Sequence, residues 1–97
     1  MSTAAEFDSP AGQSRNAQEL VGQLVARDPG ALEQLYDSYA PRLYTYASGL
    51  LGDRQLAADV VHDTILVAYE RCGQLREPAK LTAWLYAICR NECRRLQ

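Results

Sequence analysis

One stretch of the chain, residues 54–72, places acidic side chains and a single leucine on the same side of a predicted helix. At about 100° per residue, this side lies opposite the apolar stripe of the helix. An apolar residue ringed by carboxylates is typical of a surface that binds a basic protein partner. A solvated face with one exposed leucine is the alternative interpretation, and periodicity alone does not decide between them. The residues on this side are Asp59, His62, Asp63, Leu66 and Glu70.

A second stretch, residues 73–97, combines cations, aromatic rings and an asparagine. Basic groups bind phosphates, aromatic rings stack on bases and asparagine can read a base edge, so the combination indicates nucleic-acid binding. The alternative is an ordinary helix with Trp84 in the core and solvated arginines at its C-terminus, where the helix dipole favours them. The residues concerned are Arg76, Lys80, Trp84, Tyr86, Arg90, Asn91, Arg94 and Arg95.

The overall charge alone argues against an independent nucleic-acid-binding protein, because it is −2 at pH 7. This average hides a gradient along the chain. From residue 76 onwards five basic side chains stand against two acidic ones, and the acidic residues concentrate upstream. We therefore expect one part of the molecule to contact phosphates and another part to contact a protein.

The cysteines predict neither a metal site nor a set of disulfides. The chain has 97 residues, with one histidine and three cysteines, Cys72, Cys89 and Cys93. Cys89 and Cys93 are four residues apart, but two thiols without two further ligands make a poor zinc site. An odd number of cysteines favours a reducing compartment. No nucleophile, phosphate-loop or paired-carboxylate motif is present, so neither an enzyme nor a cofactor is expected.

The elements that must position these residues are all predicted to be helices. The apolar spacing predicts helices over about residues 16–27, 31–51, 54–72 and 80–97, with a Gly- and Pro-bounded loop at residues 73–79. The fold class is therefore all-α, a small bundle of about four helices. The inward stripes predicted for these helices include Val25, Tyr36, Leu50, Trp84 and Leu96.

Helix ends and interruptions are also marked in the sequence. Asn16 begins a capping-box pattern, and Asp28 is expected to cap the second helix. Pro41 lies inside the second helix and is expected to kink it or split it in two. Gly52 is expected to end that helix, and Asp53 to cap the third.

The N-terminal residues 1–15 are acidic and rich in Ala, Ser, Gly and Gln, which favours a disordered tail. They have neither the basic start nor the apolar segment of a secretory signal. No run of about 18 apolar residues occurs, so no insertion into a membrane is expected. Together with the cysteines, these features predict a cytoplasmic protein whose domain spans residues 16–97.

Four segments in register resemble the extracytoplasmic-function (ECF) sigma factors of the sigma-70 class. Residues 35–44, LYDSYAPRLY, are similar to the family's opening LY..YAPRLY, and LGD follows at residues 51–53. Residues 58–64, ADVVHDT, resemble the signature AEDLVQET. Residues 82–91, TAWLYAICRN, resemble aWLyrIarN. The order and spacing agree over about residues 31–96.

The resemblance implies region 2 of a sigma factor, which binds core RNA polymerase and recognises and melts the −10 promoter element. In the family, the helix that matches residues 54–72 docks on a coiled coil of the largest polymerase subunit. Carried over by position, the polymerase-binding residues are Asp59, His62, Asp63 and Leu66.

The loop at residues 73–79 resembles the family's specificity loop, which captures a base flipped from the nontemplate strand. The resemblance implies no small-molecule substrate, and it implies an anti-sigma factor as a further partner. The family's −35-reading domain has no counterpart after Leu96 and is expected to be absent from this chain. The DNA-binding residues carried over by position are Arg76, Lys80, Arg90, Asn91 and Arg94.

Two positions depart from the family pattern, since Ala58 stands where Glu is usual and His62 where Gln is usual. The loss of a carboxylate from the docking helix puts the strength of polymerase binding in doubt. The alternative function is a helical protein-interaction module, an adaptor or transcriptional regulator that does not bind DNA directly.

Overall fold

The computed structural model describes the backbone of residues 10–97 and the side-chain environments of residues 16–97. Four α-helices and two short 3₁₀ turns follow one another in this part of the chain, which contains no strand, so the all-α prediction is confirmed. None of these helices is long and apolar enough to cross a bilayer. The helices are α1 (Pro10–Val25), α2 (Ala31–Leu51), α3 (Arg54–Arg71) and α4 (Leu81–Leu96), and the turns are Cys72–Gln74 and Pro78–Lys80.

The third helix lies at the centre of the packing. α3 packs along both α2 and α4, whereas α1 packs against α2 and against both 3₁₀ turns. Each helix contributes large side chains to the core, and burying one leucine stabilises the fold by about 1.5–3 kcal/mol. The fully buried side chains include Leu24, Leu35, Leu43, Ile65, Leu81 and Leu85.

The connection between α2 and α3 has the geometry that its residues predict. Gly52 adopts the left-handed conformation, with φ of 66°, and its N–H donates to the Ser48 carbonyl at 2.8 Å. The Asp53 carboxylate then accepts from the Leu56 N–H at 3.0 Å and caps α3. Both predictions are therefore confirmed. Glycine suits the first position because it tolerates positive φ, and aspartate suits the second because its carboxylate satisfies a free N–H at a helix start.

The predicted start of the first helix and the predicted cap of the second are wrong, although the second helix begins at Ala31 as predicted. α1 begins at Pro10, so Asn16 lies inside the helix and does not cap it. Residues 1–9 of the predicted tail lie outside the described residues, and the domain boundary at residue 16 stays a prediction. Packing of Leu20 and Leu24 in the core stabilises α1, and such tertiary packing outweighs a local capping pattern. The N-cap of α2 is Gly30, and the Asp28 carboxylate accepts from the Gly30 N–H at 3.2 Å instead of capping the helix.

Pro41 does not split the second helix, which is continuous from Ala31 to Leu51. Proline lacks an N–H and leaves one carbonyl of the preceding turn without its usual donor. Side chains near Pro41 add bonds to this part of the helix. The Thr45 hydroxyl donates to the Pro41 carbonyl at 3.2 Å, and the Arg42 guanidinium donates to the Ser38 carbonyl at 3.3 Å. The kink itself stays a prediction.

Several residues of the predicted inward stripes are not in the core. Tyr36 is 43% exposed and Leu96 is 52% exposed, and Val25 and Leu50 are exposed as well. They lie at helix ends or on the edge of a stripe, where burial depends on a neighbouring element that the helix alone does not reveal. Trp84 is half-buried. The core instead includes residues that the stripes left out, namely Ala40, Val60 and Cys93.

Candidate functional site

The outer side of α3 carries the predicted acidic residues in exposed positions. We call Asp59, His62, Asp63 and Leu66 the acidic surface, and all four side chains are exposed. Leu66 is 39% exposed and lies opposite the buried side of α3. The Asp53 cap and the left-handed Gly52 fix where α3 begins, and the buried stripe of α3 determines which of its sides faces outwards. The structure therefore places the four residues together on one open face.

An apolar groove runs along one side of the acidic surface, between α2 and α3. It encloses about 280 Å³ and contains one carboxylate, that of Asp37. Tyr36, which lines it, was assigned to the inward stripe, so the sequence did not predict an open groove here. The lining residues are Tyr36, Asp37, Ala40, Pro41, Tyr44, Ala58 and Val61.

A more polar groove of about 320 Å³ runs along the other side, between α3 and α4. Asp59 and Asp63 form part of its wall, together with Glu92 and Arg95 of α4. The Arg95 guanidinium lies 3.2 Å from the Glu92 carboxylate, so this cation is already paired within its own helix. Leu56 and Leu96 add exposed apolar surface, which sequence reasoning missed because both lie near helix ends.

The segment from Cys72 to Lys80, which we call the recognition loop, forms a third concave surface. Its two 3₁₀ turns are separated by residues 75–77, and a pocket of about 290 Å³ opens between the loop and α4. Arg76 and Lys80, which the sequence singled out, both line this pocket, and so does the half-buried Trp84. Trp84 therefore belongs neither wholly to the core nor wholly to the surface. The remaining lining residues are Gln74, Leu75 and Glu77.

One ion pair lies within this pocket. The Lys80 ammonium is 3.0 Å from the Glu77 carboxylate, and both side chains are mostly in solvent. Glu77 was not among the predicted site residues, although its spacing of three residues from Lys80 is a signal for such a pair. The pocket thus combines an aromatic wall, two cations and one carboxylate.

The outer side of α4 carries the remaining predicted residues. Arg90, Asn91 and Arg94 are exposed, as are Ala83 and Ala87 between them and the loop. Asn91 lies eleven residues beyond Lys80, a rise of about 16 Å along a helix. The structure therefore brings Arg76 and Lys80 into one pocket of the loop. It places Asn91, Arg90 and Arg94 further away, along α4.

The cysteines are buried and not arranged for metal binding. Cys72, Cys89 and Cys93 are all free thiols in the core. Burial raises the pKa of the Cys89 thiol to about 11, and it also raises the pKa of Cys93. Among the residues whose side chains are described, no group of three potential ligands is placed to hold a metal ion.

A protein-family comparison matches residues 35–96 to sigma-70 region 2. The chain belongs to the sigma-70 family. The match covers the acidic surface, the recognition loop and α4, and it begins after α1.

Curated relatives place this region 2 among the ECF sigma factors. It is 36% identical over 74 residues to ECF RNA polymerase sigma factor SigL of Mycobacterium tuberculosis, covering 73% of this chain and 41% of the relative. It is 34% identical over 85 residues to ECF RNA polymerase sigma factor BldN of Streptomyces coelicolor, covering 84% and 32%. It is 30% identical over 79 residues to ECF RNA polymerase sigma factor SigM of Mycobacterium tuberculosis, covering 81% and 40%. The chain thus spans less than half the length of these relatives, and no solved structure matches it.

Proposed function

We propose that this sigma region 2 binds core RNA polymerase through the acidic surface and recognises and melts the −10 element through the recognition loop and α4. The observation that carries the proposal is the pocket between the loop and α4, where Arg76, Lys80 and Trp84 come together. Membership of the sigma-70 family and similarity to proteins named as RNA polymerase sigma factors support it.

The acidic surface supports docking on a basic partner. Leu66 supplies an exposed apolar anchor, and Asp59 and Asp63 supply negative charge beside it. Apolar anchors surrounded by charged groups give an interface its affinity, while complementary charges speed the encounter. The partner implied by the family resemblance is the coiled coil of the largest polymerase subunit. The same surfaces are those that an anti-sigma factor would have to cover.

The pocket suits a base that has left the duplex. A purine or pyrimidine needs a flat apolar wall, which the indole of Trp84 offers, and cations for the phosphates on either side, which Arg76 and Lys80 offer. Extruding a base costs a few kcal/mol, which binding of the base and of its backbone can offset. Asn91, Arg90 and Arg94 would then contact the adjacent DNA along α4. Melting in this way breaks no covalent bond, so no side chain acts as a catalyst.

The proposal is tested by offering single-stranded DNA of randomised sequence to the chain bound to purified core RNA polymerase. A −10-like sequence should be enriched from the pool. Lys80→Ala and Asn91→Ala should each weaken binding to the enriched strand and reduce the opening of a duplex that contains it, measured by the fluorescence of 2-aminopurine. Arg54→Ala and Gln34→Ala remove exposed side chains of similar type far along the sequence from the loop and should change neither signal.

The same experiment separates this function from the alternative of a protein-interaction module without DNA contact. The apolar groove beside Tyr36 favours binding of a protein partner. Both a sigma factor domain and a protein-interaction module would have such a partner, so the groove does not distinguish them. Binding to core polymerase with no enriched sequence, and with no effect of Lys80→Ala or Asn91→Ala, would leave only the protein-interaction role.

A further inference from the structure

Arg27 has a backbone conformation that its side chain does not favour. Its φ is 60°, and it is the one non-glycine residue with positive φ between residues 10 and 97. Residues with a Cβ, apart from asparagine and aspartate, rarely adopt this region, since the Cβ crowds the next carbonyl. Such a conformation persists only where surrounding contacts stabilise it, which makes those contacts worth identifying.

The contacts of Arg27 are with Tyr69, 42 positions further along the chain. The Arg27 guanidinium lies 4.4 Å from the centre of the Tyr69 ring, a cation–π contact. Its Nη1 also donates a hydrogen bond to the Tyr69 carbonyl at 3.1 Å. The Arg27 side chain therefore contacts both the ring and the backbone carbonyl of Tyr69, in the last turn of α3.

Tyr69 lies three residues before Cys72, where the recognition loop begins. Within the loop, the only backbone hydrogen bonds outside helices are those that close the two turns, from Leu75 N–H to the Cys72 carbonyl and from Lys80 N–H to the Glu77 carbonyl. α1 packs against both turns, and Arg27 lies two residues after the end of α1. The loop therefore has few backbone hydrogen bonds of its own and is positioned by packing on α1 and on the adjoining ends of α3 and α4. The Arg27–Tyr69 contact joins two of these elements, α1 and α3.

We propose that Arg27 is a positioning residue for the recognition loop: it fixes the end of α3 to the end of α1, and so holds the loop in the shape that binds the extruded base. This rests on the function proposed above for the loop. A loop held in its binding shape loses less conformational entropy when it binds, and therefore binds more tightly. Arg27 does not itself need to touch DNA for this effect.

Glycine at position 27 provides a clean test. Arg27→Gly removes the contact and also relieves the positive φ, so the variant should fold. In complex with core polymerase, it should bind the enriched −10 strand about two- to fivefold more weakly, the change expected for losing one exposed cation–π contact. Tyr69→Leu, which leaves every charge in place, should weaken binding similarly. Arg27→Lys, which retains the cation, should recover most of the affinity, and affinity for polymerase should not change.

Salt dependence distinguishes positioning from direct attraction between Arg27 and phosphate. Loss of a phosphate contact lowers the slope of log affinity against log salt by about one, whereas loss of positioning leaves the slope unchanged. Arg71→Gln removes a nearby exposed charge that makes no such contact and should have no effect. The inference is wrong if the wild type binds the enriched strand and Arg27→Gly binds it equally well, or if the slope of Arg27→Gly falls and Arg71→Gln weakens binding equally.

A readout without DNA keeps this inference separate from the proposed function. Amide hydrogen exchange at Leu75 and Lys80, whose N–H groups close the two turns, should be faster in Arg27→Gly and in Tyr69→Leu than in the wild type, because the loop opens more often. If the wild type binds no single strand but these amides exchange faster, the proposed function fails and the positioning role stands. Unchanged exchange in both variants would overturn the positioning role whatever the DNA result.

Discussion

The ammonium of Lys80 lies 3.0 Å from the carboxylate of Glu77 inside the pocket of the recognition loop. The two residues are three positions apart and span the second 3₁₀ turn. A cation proposed to bind phosphate is therefore already paired before DNA arrives. The pair is largely exposed, and exposed pairs contribute little stability, so DNA can displace the carboxylate at low cost.

Removing this carboxylate should strengthen DNA binding. Glu77→Gln frees Lys80 and removes a negative charge from the pocket, so affinity for the −10 strand should rise about two- to threefold, in line with the small energy of an exposed pair. The slope of log affinity against log salt should also become steeper. Glu92→Gln is the control for net charge, because it removes one carboxylate from a pair at the same three-residue spacing, with Arg95 outside the pocket, and should leave DNA affinity unchanged. Equal gains in both variants would show that only net charge matters.

Leu66 should dominate binding to polymerase. Leu66→Arg replaces the apolar anchor of the acidic surface by a cation that a basic partner repels, so affinity for core polymerase should fall at least about tenfold. Leu50→Arg is the control, since Leu50 is 42% exposed against 39% for Leu66 but lies at the end of α2. Titration of labelled core polymerase with each variant measures its affinity. Unchanged affinity in Leu66→Arg would contradict the docking face.

The acidic surface could be predicted from the sequence because it depends on a single helix. The apolar stripe of α3 fixes its inner side, so the outer position of Leu66 follows from spacing alone. Gly52 and Asp53 were predictable for a similar reason, as each acts on its own neighbours. The sequence also contained the signal for the Glu77–Lys80 pair, a spacing of three residues, although Glu77 was not assigned to the site.

Features that depend on two elements could not be predicted in this way. Tyr36 has the spacing of a core residue, yet the groove between α2 and α3 leaves it open. The positive φ of Arg27 is stabilised by Tyr69, 42 positions away, which no local pattern reveals. The spacing of α4 places Trp84 on its inward side. The recognition loop packs beside this position and forms a pocket with the exposed part of the indole.

The cap of α3 should contribute measurably to stability. Asp53→Ala leaves the Leu56 N–H without its partner and should lower the free energy of unfolding by about 1 kcal/mol. Asp53→Asn retains an acceptor and should cost much less. Asp37→Ala removes an exposed aspartate from the interior of α2, where alanine is the better helix former, and should be neutral or slightly stabilising. Urea unfolding followed by circular dichroism compares the three variants.

Cys89 should make the fold less stable at alkaline pH. Its thiol has a pKa raised by burial from 9.0 to about 11, so the folded state retains the proton at pH values where the unfolded state loses it. Stability is therefore unaffected below about pH 9 and falls as pH rises through the window from 9.0 to about 11. At pH 10 this one group should lower the free energy of unfolding by on the order of 1 kcal/mol. Urea unfolding at pH 8 and pH 10 should show a smaller decrease in Cys89→Ala than in the wild type, whatever the cost of the cavity at either pH. Parallel decreases in the two proteins would mean that the Cys89 thiol ionises equally easily in the folded and unfolded states.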